Sequence, residues 1–271
     1  MNMILYPNAK LNLGLRVTEK RPDGFHNLET VFVPFAGLQD ILEIAEADHF
    51  SFSAYGKPYE LPDNNLENEI CVRAWRLLEA DFQLPPVAIH LCKNIPIGAG
   101  LGGGSADGAF TLIGLNKLFQ LNLSTQQLLA YAARLGSDCP FFVLNQPMYG
   151  TGRGDELTAF SSDSIEEVLT GKAYEIRLIT PDIHVSTPQA YRGITPRRPF
   201  GTQKPAEEKD LREILCQPVS TWADSLENDF EKTVFQCHPQ LAQLKNDLYE
   251  QGAIYAAMSG SGSTLFGIFN K

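Results

Sequence analysis

The chain has 271 residues, long for one ordinary domain and suited to two small ones. An apolar share of 44% supplies real cores and argues against disorder. With 22 basic against 32 acidic residues the net charge is −10, so neither nucleic acid nor an anionic membrane is expected as a partner, and an anionic ligand must be met by a local site.

No stretch approaches the roughly 18 apolar residues of a membrane helix, and the N-terminal MNMILYPNAK lacks the apolar core of a signal peptide. The five cysteines (Cys71, Cys92, Cys139, Cys216, Cys237) are odd in number and widely spaced, with no CxxC or Cys/His cluster. Neither a disulfide framework nor a zinc site is expected, and a reducing cytoplasm is the simplest home. The five histidines show no metal-ligand spacing either, so no protein-held metal is expected.

Residues 10–17 read KLNLGLRV, an alternation that predicts a strand with Lys10, Asn12, Gly14 and Arg16 on one face. A Pro22-Asp-Gly24 turn follows, then an apolar run over 28–35. Further strands are expected near 41–45, 50–53 and 87–92, with a helix over 70–80 between them. After the glycine-rich stretch, 106–118 reads as a helix. Ser124 and Gln127 form a capping box for a helix over 125–135, which Gly136 should stop. Asp138 then precedes CPFFV, an apolar run with the look of a strand. The segment 149–155, YGTGRGD, turns to glycine and charge and marks the expected boundary between domains 1–153 and 154–271. The second half should hold a strand at 174–180, a Pro/Arg-rich loop at 195–205, and helices near 207–215 and 239–250. Two apolar runs joined by a Gly/Ser turn close it, over 253–269. Strands mixed with helices without a βαβ rhythm predict an α+β fold.

The most informative stretch is NIPIGAGLGGGSADGAF, residues 94–110, with six glycines in the eleven positions from Gly98 to Gly108. Glycine loses the most backbone entropy on folding, so such a run implies close approach of the backbone to something. The usual guest is a phosphate, held by amide N–H groups and a helix N-terminus. A Walker loop is ruled out because no Gly-Lys-Ser/Thr closes the run. Gly98-x-Gly100-x-x-Gly103 matches a dinucleotide fingerprint literally, which keeps an oxidoreductase as a distant alternative. That reading needs an acid roughly 20 residues onward, and Gly108 through Ser137 contain none. A flexible linker would not sit between a strand pattern and a helix pattern.

Pro96 to Ala109 resembles the phosphate loop of the GHMP kinases along its whole length. Pro7 to Thr30, PNAKLNLGLRVTEKRPDGFHNLET, is similar to one family within them, the 4-diphosphocytidyl-2-C-methyl-D-erythritol (CDP-ME) kinases. LGSDCPFF at 135–142 and SGSGSTLFG at 259–267 agree in the same order. The resemblance implies a two-domain fold, with an N-terminal ATP-binding domain, a C-terminal ferredoxin-like substrate domain and the active site in the cleft between them. It implies ATP-dependent phosphorylation of the 2-hydroxyl of CDP-ME in the non-mevalonate isoprenoid pathway. Another small-molecule GHMP kinase, of mevalonate or homoserine type, is the alternative.

The same resemblance assigns residues. Asp138 takes the proton of the attacking hydroxyl and Lys10 is its electrostatic partner; the bland readings are a helix or turn cap for Asp138 and a solvated strand lysine for Lys10. Pro96, Gly98, Gly100, Leu101, Gly102, Gly103, Gly104 and Ser105 form the ATP cradle, with the Ser105 hydroxyl on phosphate or Mg²⁺. Gly108, where relatives carry Ala, should weaken its helix by roughly 0.5–1 kcal/mol. Asn65, chosen over Asn68, is the adenine-side residue. Asn12, Phe25, His26 and Tyr191 contact the acceptor, the two aromatic rings of His26 and Tyr191 sandwiching the cytosine. Ser259 and Gly260 touch its diphosphate or methylerythritol end, against the bland reading of a tight turn. Mg²⁺ arrives with ATP. The only ligands implied are thus small molecules, and a homodimer is compatible with all of this without any residue requiring it.

Overall fold

In the computed structural model, residues 1–56, 59, 61–205 and 207–271 are described. The strands are β1 Asn2–Leu5, β2 Asn8–Lys20, β3 His26–Gln39, β4 Ile41–Glu46, β5 Ser51–Gly56, β6 Val87–Lys93, β7 Met148–Thr151, β8 Glu156–Ala159, β9 Tyr174–Ile179, β10 Tyr255–Met258 and β11 Leu265–Asn270. The α-helices are α1 Ile70–Phe82, α2 Gly103–Leu118, α3 Thr125–Leu135, α4 Cys139–Leu144, α5 Asp163–Thr170, α6 Thr187–Tyr191, α7 Leu211–Leu215, α8 Phe230–Cys237 and α9 Pro239–Glu250. Strands and helices are mixed without βαβ order, as an α+β fold requires.

Two compact units emerge, and both are discontinuous in sequence. The first gathers residues 1–10, 34–97 and 102–146. Its sheet runs β1-β4-β6-β5, antiparallel except for the parallel β5–β6 pair. Leu42, Ile44, Val87, Ile89 and Leu91 of this sheet are fully buried, together with Leu112 and Leu115 of α2 and Val72 and Leu78 of α1. Gly114 lets α2 approach the sheet: a Cβ there would stand 2.7 Å from both Ile44 and Leu5. Gly108 has a packing role too, since a Cβ would stand 2.7 Å from Ile70. Its cost in helix propensity is therefore tied to close α1–α2 contact.

The second unit gathers 11–33, 98–101 and 147–271. It contains the antiparallel sheet β10-β11-β9 and a core of Val185, Phe230, Val234, Leu241, Leu248, Met258, Leu265 and Phe269, to which Leu15 and Val17 of β2 also belong. A third sheet, β2-β3-β7-β8, has most of its length here.

Several expectations change. Residues 139–143 form helix α4, not a strand: a short apolar run buried all round carries no period by which to choose, and Pro140 suits a first helical turn. Helix α2 begins at Gly103, three residues before the expected Ala106, so the last loop glycines are its first turn. Gly136 ends α3 with an extended backbone (φ 175°) rather than a left-handed one. The glycine-rich 149–155 segment is the turn of the β7–β8 hairpin, paired through β7 to β3. Strand β2 is buried along both faces, Lys10, Asn12 and Arg16 included.

Candidate active site

In the first unit, β2 carries Lys10 at only 4% exposure. Burial pushes its ammonium pKa below the usual lysine range, while the charge of Asp138 opposes that shift. The two groups are thus electrostatic neighbours, although Asp138 lies 128 positions further along the chain (138 − 10). Asp138 occupies the N-cap position of α4, yet its side chain makes no capping hydrogen bond. The bland reading of that carboxylate as a cap is not what the fold uses.

The glycine loop passes directly over this pair. Gly102 holds φ at +71°, and a Cβ on it would stand 2.9 Å from the Phe142 ring and 3.1 Å from Lys10 Cγ. Only glycine fits without displacing one of them. Gly103, Gly104 and Ser105 follow as the first turn of α2, where backbone N–H groups lack intrahelical acceptors and the helix dipole is positive. Gly104 is exposed, and a Cβ there would meet nothing within 4 Å, so this turn is open to a guest. Ser105 hydrogen-bonds the Cys139 thiol, whose pKa burial pushes up to about 11 against that bond. Ser105 is therefore linked to the residue next to Asp138.

Beneath the loop lies a cluster that sequence reasoning missed. Lys93 Nζ donates to Asp40 Oδ2 at 2.5 Å and to Asp107 Oδ2 at 2.6 Å, and all three side chains are at most 2% exposed. The available signal was an aspartate inside the glycine run with a lysine just before it. Asn65 is exposed, and its Oδ1 accepts from Glu67 N at 3.1 Å as a turn cap. Asn68 Nδ2 donates to Asp63 Oδ2 at 3.2 Å.

In the second unit the first half of the loop is held by the Ser259–Ser263 turn. Ser259 Oγ donates to Gly100 O at 3.0 Å, and Thr264 N donates to Ala99 O at 3.2 Å. Gly100 (φ +78°) has no room for a Cβ, which would run into the Ser259 carbonyl oxygen. Gly98 (φ +69°) is exposed, Pro96 half-buried and Leu101 fully buried. Ser259 and Gly260 are buried, and the Ser259 hydroxyl serves the loop. Asn228, also missed, fixes this turn by donating to Met258 O at 2.7 Å and Gly260 O at 2.8 Å. Nothing local in the sequence around Asn228 announces it.

Asn12 Nδ2 donates to Thr30 Oγ1 at 2.9 Å, and Thr30 Oγ1 donates to Gly14 O at 2.6 Å. His26 and Tyr191 are brought together as direct partners, ring centroids 4.8 Å apart at 17°. That is already a stacking distance, so a third ring adds to an outer face or displaces one of them. Tyr191 rests edge-on against Phe230 at 4.8 Å, which completes a three-ring tier. Burial, with the charge of Lys20, lowers the His26 pKa. Phe25 is 56% exposed and lies under the Arg153 guanidinium at 5.3 Å.

A lysine with a neighbouring carboxylate beside a glycine-built helix N-terminus suits phosphoryl transfer. Family models agree: the GHMP kinases N terminal domain matches residues 69–146, and the GHMP kinases C terminal matches 210–271. The chain belongs to the GHMP kinases. It is 49% identical to a 4-diphosphocytidyl-2-C-methyl-D-erythritol kinase of Bacteroides thetaiotaomicron, covering 98% of this chain and 92% of the relative. It is 45% identical to one of Parabacteroides distasonis over 99% and 92%. A crystal structure of 4-(cytidine 5'-diphospho)-2C-methyl-D-erythritol kinase superposes with a TM-score of 0.76 at 33% identity, covering 98% of this chain and 89% of that one. Within the GHMP kinases, then, the chain is a member of the CDP-ME kinase family. A mevalonate kinase structure, at 14% identity and a TM-score of 0.67, shares the fold.

Proposed function

We propose that this protein transfers the γ-phosphoryl group of ATP to the 2-hydroxyl of CDP-ME, giving the 2-phosphate and ADP. The observation that carries the reading is the Lys10–Asp138 pair lying under the glycine loop of a CDP-ME kinase family member. Phosphoryl transfer needs mainly positioning and charge neutralisation, so the protein's tasks are few. Asp138 accepts the proton of the 2-hydroxyl as its oxygen attacks. Lys10, buried beside it, stabilises the oxygen as negative charge develops there. The amides of Gly103, Gly104 and Ser105 cradle the donor phosphates, with Pro96, Gly98, Gly100, Leu101 and Gly102 setting the path of the loop.

Mg²⁺, brought in on ATP, would neutralise phosphate charge, and the Ser105 hydroxyl is the oxygen ligand the loop offers. The tier of His26, Tyr191 and Phe230 offers a stacking face for cytosine, a contribution of about 1–3 kcal/mol for one base. Asn12 and the Ser259–Gly260 turn are assigned to the acceptor, Phe25 to its rim, and Asn65 to the adenine side. We assign the ATP cradle to residues 1–153 and Tyr191, Ser259 and Gly260 of 154–271 to the acceptor, with Asn12, Phe25 and His26 of the first segment joining the acceptor side; one family model falls on each side of residue 153. Among the described residues no helix is long and apolar enough to cross a membrane. We place the enzyme in the cytoplasm, acting on a small molecule and without nucleic acid or membrane partners.

The test is turnover with Mg-ATP on CDP-ME, mevalonate and homoserine in parallel. Phosphorylation of CDP-ME alone is expected, and turnover of mevalonate alone would overturn the assignment. Asp138→Ala should lower kcat by about 10²–10⁴-fold while ATP affinity stays within a few-fold.

A further inference from the structure

We propose that the buried Asp40–Lys93–Asp107 triad is the positioning device of the ATP loop, clamping its entry to its exit. The inference rests on the loop binding ATP phosphates, as proposed above. Lys93 is the last residue of β6, and Asp107 lies one turn into α2, so their 2.6 Å bond closes the loop at its base. Asp40, between β3 and β4, grips the entry a second time: Oδ1 accepts from Asn94 N at 2.6 Å and from Ile95 N at 2.9 Å. Asn94 Nδ2 in turn donates to Gln39 O at 2.9 Å. Gly103, the first residue of the helix, is seated against the same lysine; a Cβ would stand 3.3 Å from Lys93 Nζ and 2.8 Å from Ile95 Cγ2. The amide fan of Gly103 to Ser105 is therefore set by the triad.

Stability alone does not explain such a cluster. Well-packed apolar side chains usually match or exceed a buried ion group, because desolvating charges offsets their attraction. Burial pushes the Asp107 carboxyl well above the ordinary aspartate range, with Lys93 opposing and Asp40 reinforcing the shift. Asp107 Oδ1 has no hydrogen-bond partner among the described residues, so the hold of Asp107 on Lys93 runs through Oδ2.

The experiment is calorimetric titration of the whole enzyme with Mg-ATP, alongside KM for CDP-ME and the unfolding temperature. Asp107→Ala opens the clamp and should weaken ATP binding at least tenfold, with KM for CDP-ME within threefold. Asp107→Asn keeps an acceptor for Lys93 without charge and should recover most of that loss. Asp40→Asn, which turns an amide N–H towards the ammonium, should weaken ATP binding as well and serves if Asp107→Ala does not fold. The proposal is overturned if folded Asp107→Ala or Asp40→Asn binds ATP within twofold of wild type. It is equally overturned if ATP affinity and KM for CDP-ME worsen together with the unfolding temperature, or if Asp107→Asn recovers nothing. Wild-type enzyme that binds no Mg-ATP would instead sink the reading of the loop itself.

Discussion

Lys10 and His26 show how burial turns ordinary side chains into tuned ones. The ammonium of Lys10 sits at 4% exposure, where desolvation favours losing the proton and Asp138 favours keeping it. Alternation along β2 placed Lys10 and Asn12 on one face, but it could not tell that this face is buried as well, because that depends on chain far away in sequence. His26 is lowered by burial first and by Lys20 second. Its folded pKa therefore lies below the unfolded value of about 6.5, so the unfolded chain binds more protons in the window between the two. Stability contributed by neutral His26 is present above about pH 6.5 and falls as pH drops through that window. His26→Phe keeps an aromatic partner for Tyr191 and removes the titration. In thermal unfolding at pH 7.5 and 5.5, wild type should lose more on acidification than His26→Phe; an equal loss would mean His26 does not carry the effect.

Elements fixed by local chemistry were legible, and those fixed by distant partners were not. Helix α3 was read to the residue because Ser124 and Gln127 exchange both capping hydrogen bonds within four positions. Helix α4 was misread as a strand because a five-residue apolar run lacks a period. The close backbone approach of the glycine loop was legible, since its demands are written in residue type, but the start of α2 at Gly103 was not. The Gly/Ser turn after β10 was visible as a turn, whereas its support was hidden: Asn228, remote in sequence, donates to Met258 O and Gly260 O and accepts from Phe230 N at 3.0 Å. Removing it strands two buried carbonyls and an amide. Asn228→Ala should cost about 3 kcal/mol, taking roughly 1–3 kcal/mol per buried group left unpaired with partial relaxation. Urea unfolding monitored by Trp222, itself fully buried in this unit, reads the change. A cost under 1 kcal/mol would show that the turn holds its shape without Asn228.

Neither compact unit is a contiguous half of the chain. Leu15 and Val17, at 3% and 0% exposure, belong to the same core cluster as Val185, Phe230, Leu241 and Met258. Leu15 N donates to Glu227 O and Asp229 N to Leu15 O, both at 2.8 Å, and Asp229 Oδ2 accepts from Val17 N at 2.8 Å. The Pro/Arg-rich loop leans on the same strand, with Arg197 N donating to Val17 O at 3.0 Å and Arg198 N to Thr18 O at 2.9 Å. Residues 154–271 thus contain helices α5 to α9 and the three-stranded sheet without the strand that completes their core. A core lacking two buried aliphatic side chains loses on the order of 1.5–3 kcal/mol for each, in addition to the backbone bonds, out of a typical total of 5–15 kcal/mol. The isolated fragment 154–271 should accordingly show helical circular dichroism at most, with no cooperative urea transition and poor dispersion of its methyl resonances. Adding a peptide of residues 11–33 should restore the transition, because it supplies Leu15, Val17 and the edge to which residues 197 and 198 bind. A cooperative transition in the fragment alone would mean that the C-terminal half closes its core without β2.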